Sequence, residues 1–256
     1  MSTSDKIQKW AGNLEQTFLS LIKIALKSKK TSPLPHGLKN ADELVILANG
    51  PSLNNTVERN RAFLDSRTLL AVNFCATSPM FTELKPELYL IADPLFWIVD
   101  EKREALFGAL AQKTDWSLHL FMPARSKVDK KWQQIIESNP NITVHIYNTT
   151  PIEGFASFTN FIYRKGIGMP RPHNVLIPSI ATALRMPFKK YILQVPTTHG
   201  SRKLLSQKIM RCLCTRSISM TKGCRRLTQS SRRIYLPQDF TLFSTTCTLP
   251  LRHTSP

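Results

Sequence analysis

The apolar run Leu44-Val45-Ile46-Leu47-Ala48 stops abruptly at Asn49-Gly50-Pro51-Ser52. A strand with no polar alternation is buried on both faces, as in a parallel sheet covered on two sides, and Gly-Pro after it predicts a tight turn into a helix. The pattern recurs. Thr68–Phe74 is apolar up to Asn73, and Glu87–Ala92 runs into Asp93-Pro94. Helical spacing is expected near Thr56–Leu64, over Asp100–Gln112 and over Lys127–Ser138, with further strands at Trp116–Met122 and Ile142–Tyr147. Strands and helices alternating through short connections predict an α/β fold, a mostly parallel sheet with helices on both faces.

In such a sheet the carboxyl ends of the strands form the ligand crevice. Asn49 and Ser52 after the first strand, Asn73 after the second and Asp93 after the third would then meet on one edge. Singly, each is an ordinary turn residue. Gly50 lets the backbone approach a bound group, and a phosphate fits among Asn49, Ser52 and the free N–H groups of the coming helix. No Gly-Lys-Ser/Thr follows, so the turn is not a Walker A loop, and it is not the Gly-x-Gly-x-x-Gly fingerprint. Farther on, Asn174–Ser179 leads into an apolar helix expected over Ile180–Met186, with Ser179 placed to cap it or to help hold a phosphate. A last buried strand is expected from Lys189 to Leu193. His145, His173 and His199 are poor catalytic candidates, and Glu101–Glu104 reads as a solvated helix surface.

A net charge of +18 would ordinarily point to nucleic acid or an anionic membrane. Its distribution argues otherwise. From Gln194 onward eleven Lys and Arg stand against the single acid Asp239, a net +10, which leaves +8 for residues 1–193. The same tail holds Cys212, Cys214, Cys224 and Cys247, in a spacing that makes no credible zinc site. Without a recognisable secretory signal or a membrane-length apolar segment, a cytoplasmic protein with reduced thiols is expected. Lys6–Lys30 reads as an amphipathic helix, with Ile7, Trp10, Leu14, Phe18, Leu21 and Ile22 on one side and lysines gathered at its end. It either packs on the domain or docks peripherally on the inner face of the membrane. The organisation expected is a helix and linker over 1–39, a nucleotide-binding domain over 40–193, and a basic, disordered tail over 194–256.

Ile46–Leu53, Val72-Asn73-Phe74, Ile91–Pro94 and Val175–Lys190 resemble the MptE-like family, named for the archaeal 6-hydroxymethylpterin diphosphokinase. The same series resembles the bacterial sialyltransferases that use CMP-sialic acid. The resemblance implies a Rossmann-like fold and a nucleotide on the first turn. Asn49, Gly50, Pro51 and Ser52 match the family's loop, Asn73 and Asp93 match positions facing the nucleotide, and Ser179 matches the polar start of the later helix. Both families end the strand matching Lys190–Leu193 in Gly-x-Asp, where this chain has Gln194-Val195-Pro196-Thr197-Thr198-His199. One A restored to an A-rich Lys189-Lys190 codon pair permits Ile-Tyr-Leu-Ala-Gly-Ala-Asp-His-Ser-Trp instead. Residues from about Tyr191 onward are therefore expected to be out-of-frame translation.

The activity these features imply is transfer from an activated nucleotide, a nucleotide sugar used in surface-polysaccharide assembly, with the chain as given lacking a completed site. The alternative is diphosphate transfer from ATP, in which Asp93 and the missing Asp would hold Mg²⁺; otherwise no cofactor is expected. A basic nucleic-acid-binding or membrane-binding protein is the non-enzymatic reading, and the tail lacks the aromatic spacing of RNA-binding modules.

Overall fold

Six parallel strands form the centre of the computed structural model, which describes residues 2–40, 42–48, 53–128, 130–194, 218–221 and 240–245. They are β1 (Glu43–Leu47), β2 (Thr68–Val72), β3 (Leu88–Leu90), β4 (Leu118–Pro123), β5 (Ile142–Tyr147) and β6 (Lys190–Gln194). Their order is β5-β4-β3-β2-β1-β6, with Val45 opposite Leu69 on one side and Ile192 on the other. The tail adds β7 (Ile218–Thr221) and β8 (Phe240–Thr245), with β8 antiparallel to both β6 and β7. The rest of the expected tail lies outside the described residues.

Nine helices occur among the described residues: α1 (Thr3–Lys27), α2 (Leu53–Arg59), α3 (Arg61–Asp65), α4 (Met80–Leu84), α5 (Leu95–Ile98), α6 (Asp100–Lys113), α7 (Lys131–Glu137), α8 (Ala156–Lys165) and α9 (Leu176–Ala183). Alternate strand residues face opposite ways, so each strand serves two cores. Leu44, Ile46, Leu70, Val72, Tyr191 and Leu193 pack with Ile177, Ile180 and Ala183 of α9. On the other face Val45, Leu47, Leu69 and Ile192 pack with Leu53, Val57 and Leu64 of α2 and α3, while Tyr89, Leu118 and Leu120 meet Phe107 of α6 and Trp132 of α7. Burial on both faces explains the unbroken apolar runs that made the sheet legible.

Three boundaries differ from the sequence expectation, each for a local reason. The helix expected at 56–64 is two helices, broken at Asn60, whose backbone (φ −124°, ψ 24°) leaves the helical region. β3 stops at Leu90 because the next free N–H groups, those of Ala92 and Asp93, go to the side chain of Asn73. The later helix starts at Leu176 rather than Ile180, since Asn174 Oδ1 accepts from the N–H groups of Leu176 and Ile177. Pro178 is tolerated because it falls in the first turn, where its missing N–H has no intrahelical partner to lose.

α1 begins with a capping box, Ser2 Oγ accepting from the Asp5 N–H and the Asp5 carboxylate from the Ser2 N–H. Past its end, Ser32 exchanges two hydrogen bonds with Ile146 on β5, and the linker runs on with Leu34 and Leu38 against the α9-side core. No helix among the described residues is long and apolar enough to cross a membrane.

Candidate functional site

The connections step outward from β1 to β5 and then return to place β6 against the free side of β1. The direction of winding thus reverses between β1 and β6, and in an open parallel sheet such a reversal opens a crevice beyond the carboxyl ends of the two strands. β1 leads there through buried Ala48, and β6 through Gln194. Asn49, Gly50, Pro51 and Ser52 lie outside the described residues, as do residues 195–200.

Asn73 follows β2 on the same rim. Its backbone is left-handed (φ +43°), a region Asn tolerates better than most side chains. Its Oδ1 accepts from the N–H groups of Ala92 at 3.1 Å and Asp93 at 3.4 Å, tying the end of β2 to the end of β3. Tyr89 locks this corner from below: its hydroxyl donates to the Asn73 carbonyl and accepts from the Ala76 N–H. Complete burial holds that phenol protonated, well above the usual tyrosine range. Asn73 and Asp93 are therefore brought together, at the carboxyl edge.

Asp93 accepts from the Leu95 N–H at 3.0 Å, an Asx turn that starts α5. So both residues have structural duties. With its Oδ1 occupied, Asn73 can still offer amide hydrogens, and Asp93 its second carboxylate oxygen.

Ser179 is engaged within its own helix. It is the fourth residue of α9, fully buried, and its hydroxyl donates to the Val175 carbonyl at 2.8 Å while its N–H bonds the same carbonyl. Asn174 does the capping that was expected of Ser179.

Sequence reasoning passed over Arg125. It stands just beyond β4, exposed, with its guanidinium donating to the Ala92 carbonyl at 2.8 Å, so one cation adjoins Asn73 and Asp93. The available signal was its place two residues past the end of an apolar run, the rule that had singled out Asn73 and Asp93.

Other reactive groups are structural. Cys75 is buried and its thiol is pushed up to about 11 by desolvation, only partly offset by a hydrogen bond with Ser78, so it is no thiolate at neutral pH. His145 links through one nitrogen to the Pro33 carbonyl and through the other to His119, on the linker side. Among the described residues no three His, Cys, Asp or Glu side chains come close enough to hold a metal ion.

Gln194 is fully buried at the end of β6, and among the described residues neither its carboxamide oxygen nor its nitrogen has a hydrogen-bond partner. By contrast Lys190, four residues earlier, pairs with Glu43 at 2.9 Å, and Lys189 pairs with Asp42 at 2.8 Å.

No family model matches this chain, and no curated protein matches it significantly. Among solved structures, the MAf glycosyltransferase from Magnetospirillum magneticum AMB-1 aligns with 76% of this chain at 16% identity and a TM-score of 0.42. The chain spans 29% of that protein's length.

Proposed function

We propose that this domain binds the phosphate portion of an activated nucleotide in the crevice between β1 and β6, and that its intact form transfers the activated group, a sugar, to an acceptor in surface-polysaccharide assembly. The observation that carries the reading is the reversal of strand order between β1 and β6, with Asn73, Asp93 and Arg125 on the same carboxyl rim. Amide and guanidinium donors there suit an anionic ligand and a nucleotide leaving group. The motif series resembling the CMP-sialic-acid enzymes favours a cytidine nucleotide. In the chain as given, the β6 side of the crevice starts with the unsatisfied Gln194, which supports a frame change just before it and a protein that binds weakly and does not turn over.

Thermal shift with CMP, CDP, ADP and ATP, each with and without Mg²⁺, tests this on two proteins: the chain as given and one with the frame restored at codon 190. A cytidine nucleotide should stabilise the restored protein without metal, by about 2.7 kcal/mol at a hundredfold excess over Kd. Stabilisation by ATP only with Mg²⁺ would instead support diphosphate transfer. If no nucleotide stabilises the restored protein, the transferase reading fails.

A further inference from the structure

α1 is attached to the domain by its polar side. Ser20 is completely buried, its hydroxyl donating to the Glu153 carbonyl at 2.8 Å and accepting from the Glu153 N–H at 2.9 Å. Thr17 accepts from the Phe155 N–H at 3.1 Å. Gly154 makes this approach achievable, since its φ is +129° and a Cβ there would fall 2.2 Å from the Thr17 hydroxyl. Beyond the helix, Asn148 bonds both the N–H and the carbonyl of Lys29.

The opposite side carries the apolar residues and is largely open, with Trp10 at its edge reaching Phe155 (ring centroids 6.1 Å apart). Ile7, Trp10, Leu14, Phe18, Leu21 and Ile22 fall within a sector of about 120°, whose centre lies about 140° around the helix from Ser20. They are open to solvent, Ile7 to 63%, Trp10 to 58% and Phe18 to 64%, and Leu26 beyond the sector to 72%. An amphipathic helix that merely covered the core would be turned the other way. A contiguous apolar surface of this kind marks an interaction site.

We infer that this face of α1 lies in the surface of an anionic bilayer, with the domain seated above it. Three features select that occupant. Aliphatic and aromatic residues fill the free face while Lys6, Lys9, Lys23 and Lys27 gather on the polar side, the pattern of helices that lie in the interface plane. Residues 2–30 carry Lys6, Lys9, Lys23, Lys27, Lys29 and Lys30 against Asp5 and Glu15, a net +4. With the helix only about 10–12 Å across, these ammonium groups stay within roughly a Debye length of the headgroups. Finally, the helix is about 37 Å long, and a second copy packed along the narrow seam would leave Trp10 and Leu26 at its margins, whereas a bilayer surface takes up the whole apolar face.

Flotation of the full-length chain with vesicles of three parts phosphatidylcholine to one part phosphatidylglycerol tests the inference, with pure phosphatidylcholine vesicles alongside. Binding should be about tenfold or more tighter to the anionic vesicles and should weaken as salt is raised. Phe18→Asp and Ile7→Asp, both at exposed positions, should each reduce it at least about tenfold while leaving the circular dichroism spectrum unchanged. Undiminished binding of both variants would assign lipid attraction to the basic tail and overturn the proposal. So would a wild-type chain that ignores anionic vesicles, or one that forms a dimer which Phe18→Asp dissociates. The inference is independent of the nucleotide site, because neither variant touches the carboxyl rim.

Discussion

Replacing Gln194 by Met should stabilise this protein, an unusual outcome for a fully buried position. Gln194 is 0% exposed and both polar atoms of its carboxamide lack partners among the described residues. A buried donor or acceptor left unsatisfied costs about 1–3 kcal/mol. Met is unbranched and close to Gln in length, so the exchange opens no cavity and adds a flexible apolar side chain that fills irregular space. Allowing for imperfect fit, the gain should be about 2 kcal/mol, against a combined desolvation cost of about 2–6 kcal/mol for the two atoms. In a chain of this size that raises the midpoint of thermal unfolding by about 4–8 °C. Urea unfolding followed by circular dichroism measures the change directly, and an unaltered m-value would show that it arises from stability rather than from the unfolded state. A fall in stability would refute the reasoning. It would mean that the carboxamide is satisfied, and that the sequence is self-consistent past Lys190.

Asn73→Ala should cost about 2–3 kcal/mol, from two lost backbone hydrogen bonds and a left-handed alanine, whereas Asn73→Gly should cost about 1 kcal/mol less because glycine removes the strain; denaturant midpoints of the pair check this. Burial raises the Glu43 pKa, but the hydrogen bond from Lys190 and the charges of Arg67 and Lys190 outweigh it and hold the carboxyl below its ordinary value of 4.5. Its contribution is thus present above that value and lost as pH falls through the depressed pKa, so Glu43→Gln should cost about 1–3 kcal/mol at neutral pH and progressively less in acid. Burial lowers the pKa of His119, as does the charge of His145, and burial lowers that of His145 against a hydrogen bond to Pro33 that raises it. Both are neutral in the fold when the unfolded chain begins to protonate, so stability should fall below about pH 6.5, by up to about 1.4 kcal/mol per pH unit for each group. His145→Gln should flatten that slope in a urea titration against pH.

The sheet was legible because burial on both faces leaves no polar residue inside β1 or β2, and such a run has few other destinations in a folded chain. What escaped was decided by single side chains reaching across the fold. Nothing local in Asn174 says that its carboxamide, rather than Ser179, will start α9, and this moved Ser179 from the helix entrance to a buried turn. Asn73 and Asp93 were legible as rim residues because the strand-end rule depends only on topology. Their mutual engagement was not, since it depends on the register of β2 against β3. The amphipathic character of α1 was plain in the sequence, but the side by which it docks follows from Ser20 and Thr17 meeting a loop at Glu153, Gly154 and Phe155, more than a hundred residues away.

β6 separates what the fold requires from what the proposed site requires. It is the last parallel strand and inserts apolar side chains into both cores, Tyr191 and Leu193 on the α9 side and Ile192 on the α2 side. The alternative frame would put Ile-Tyr-Leu where Tyr-Ile-Leu now stands, apolar in either case, so burial against β1 survives the change. Lys190, just before, pairs with Glu43 and is the same residue in both frames. The first position where the frames differ in polarity is Gln194 against a small residue, and that is where an unsatisfied group enters the interior. Core strands tolerate exchange among apolar residues, whereas a phosphate-binding corner depends on particular short polar side chains at the strand's end. The demands of packing are thus met by Leu193, and on the proposed reading the crevice's second wall begins at the next residue.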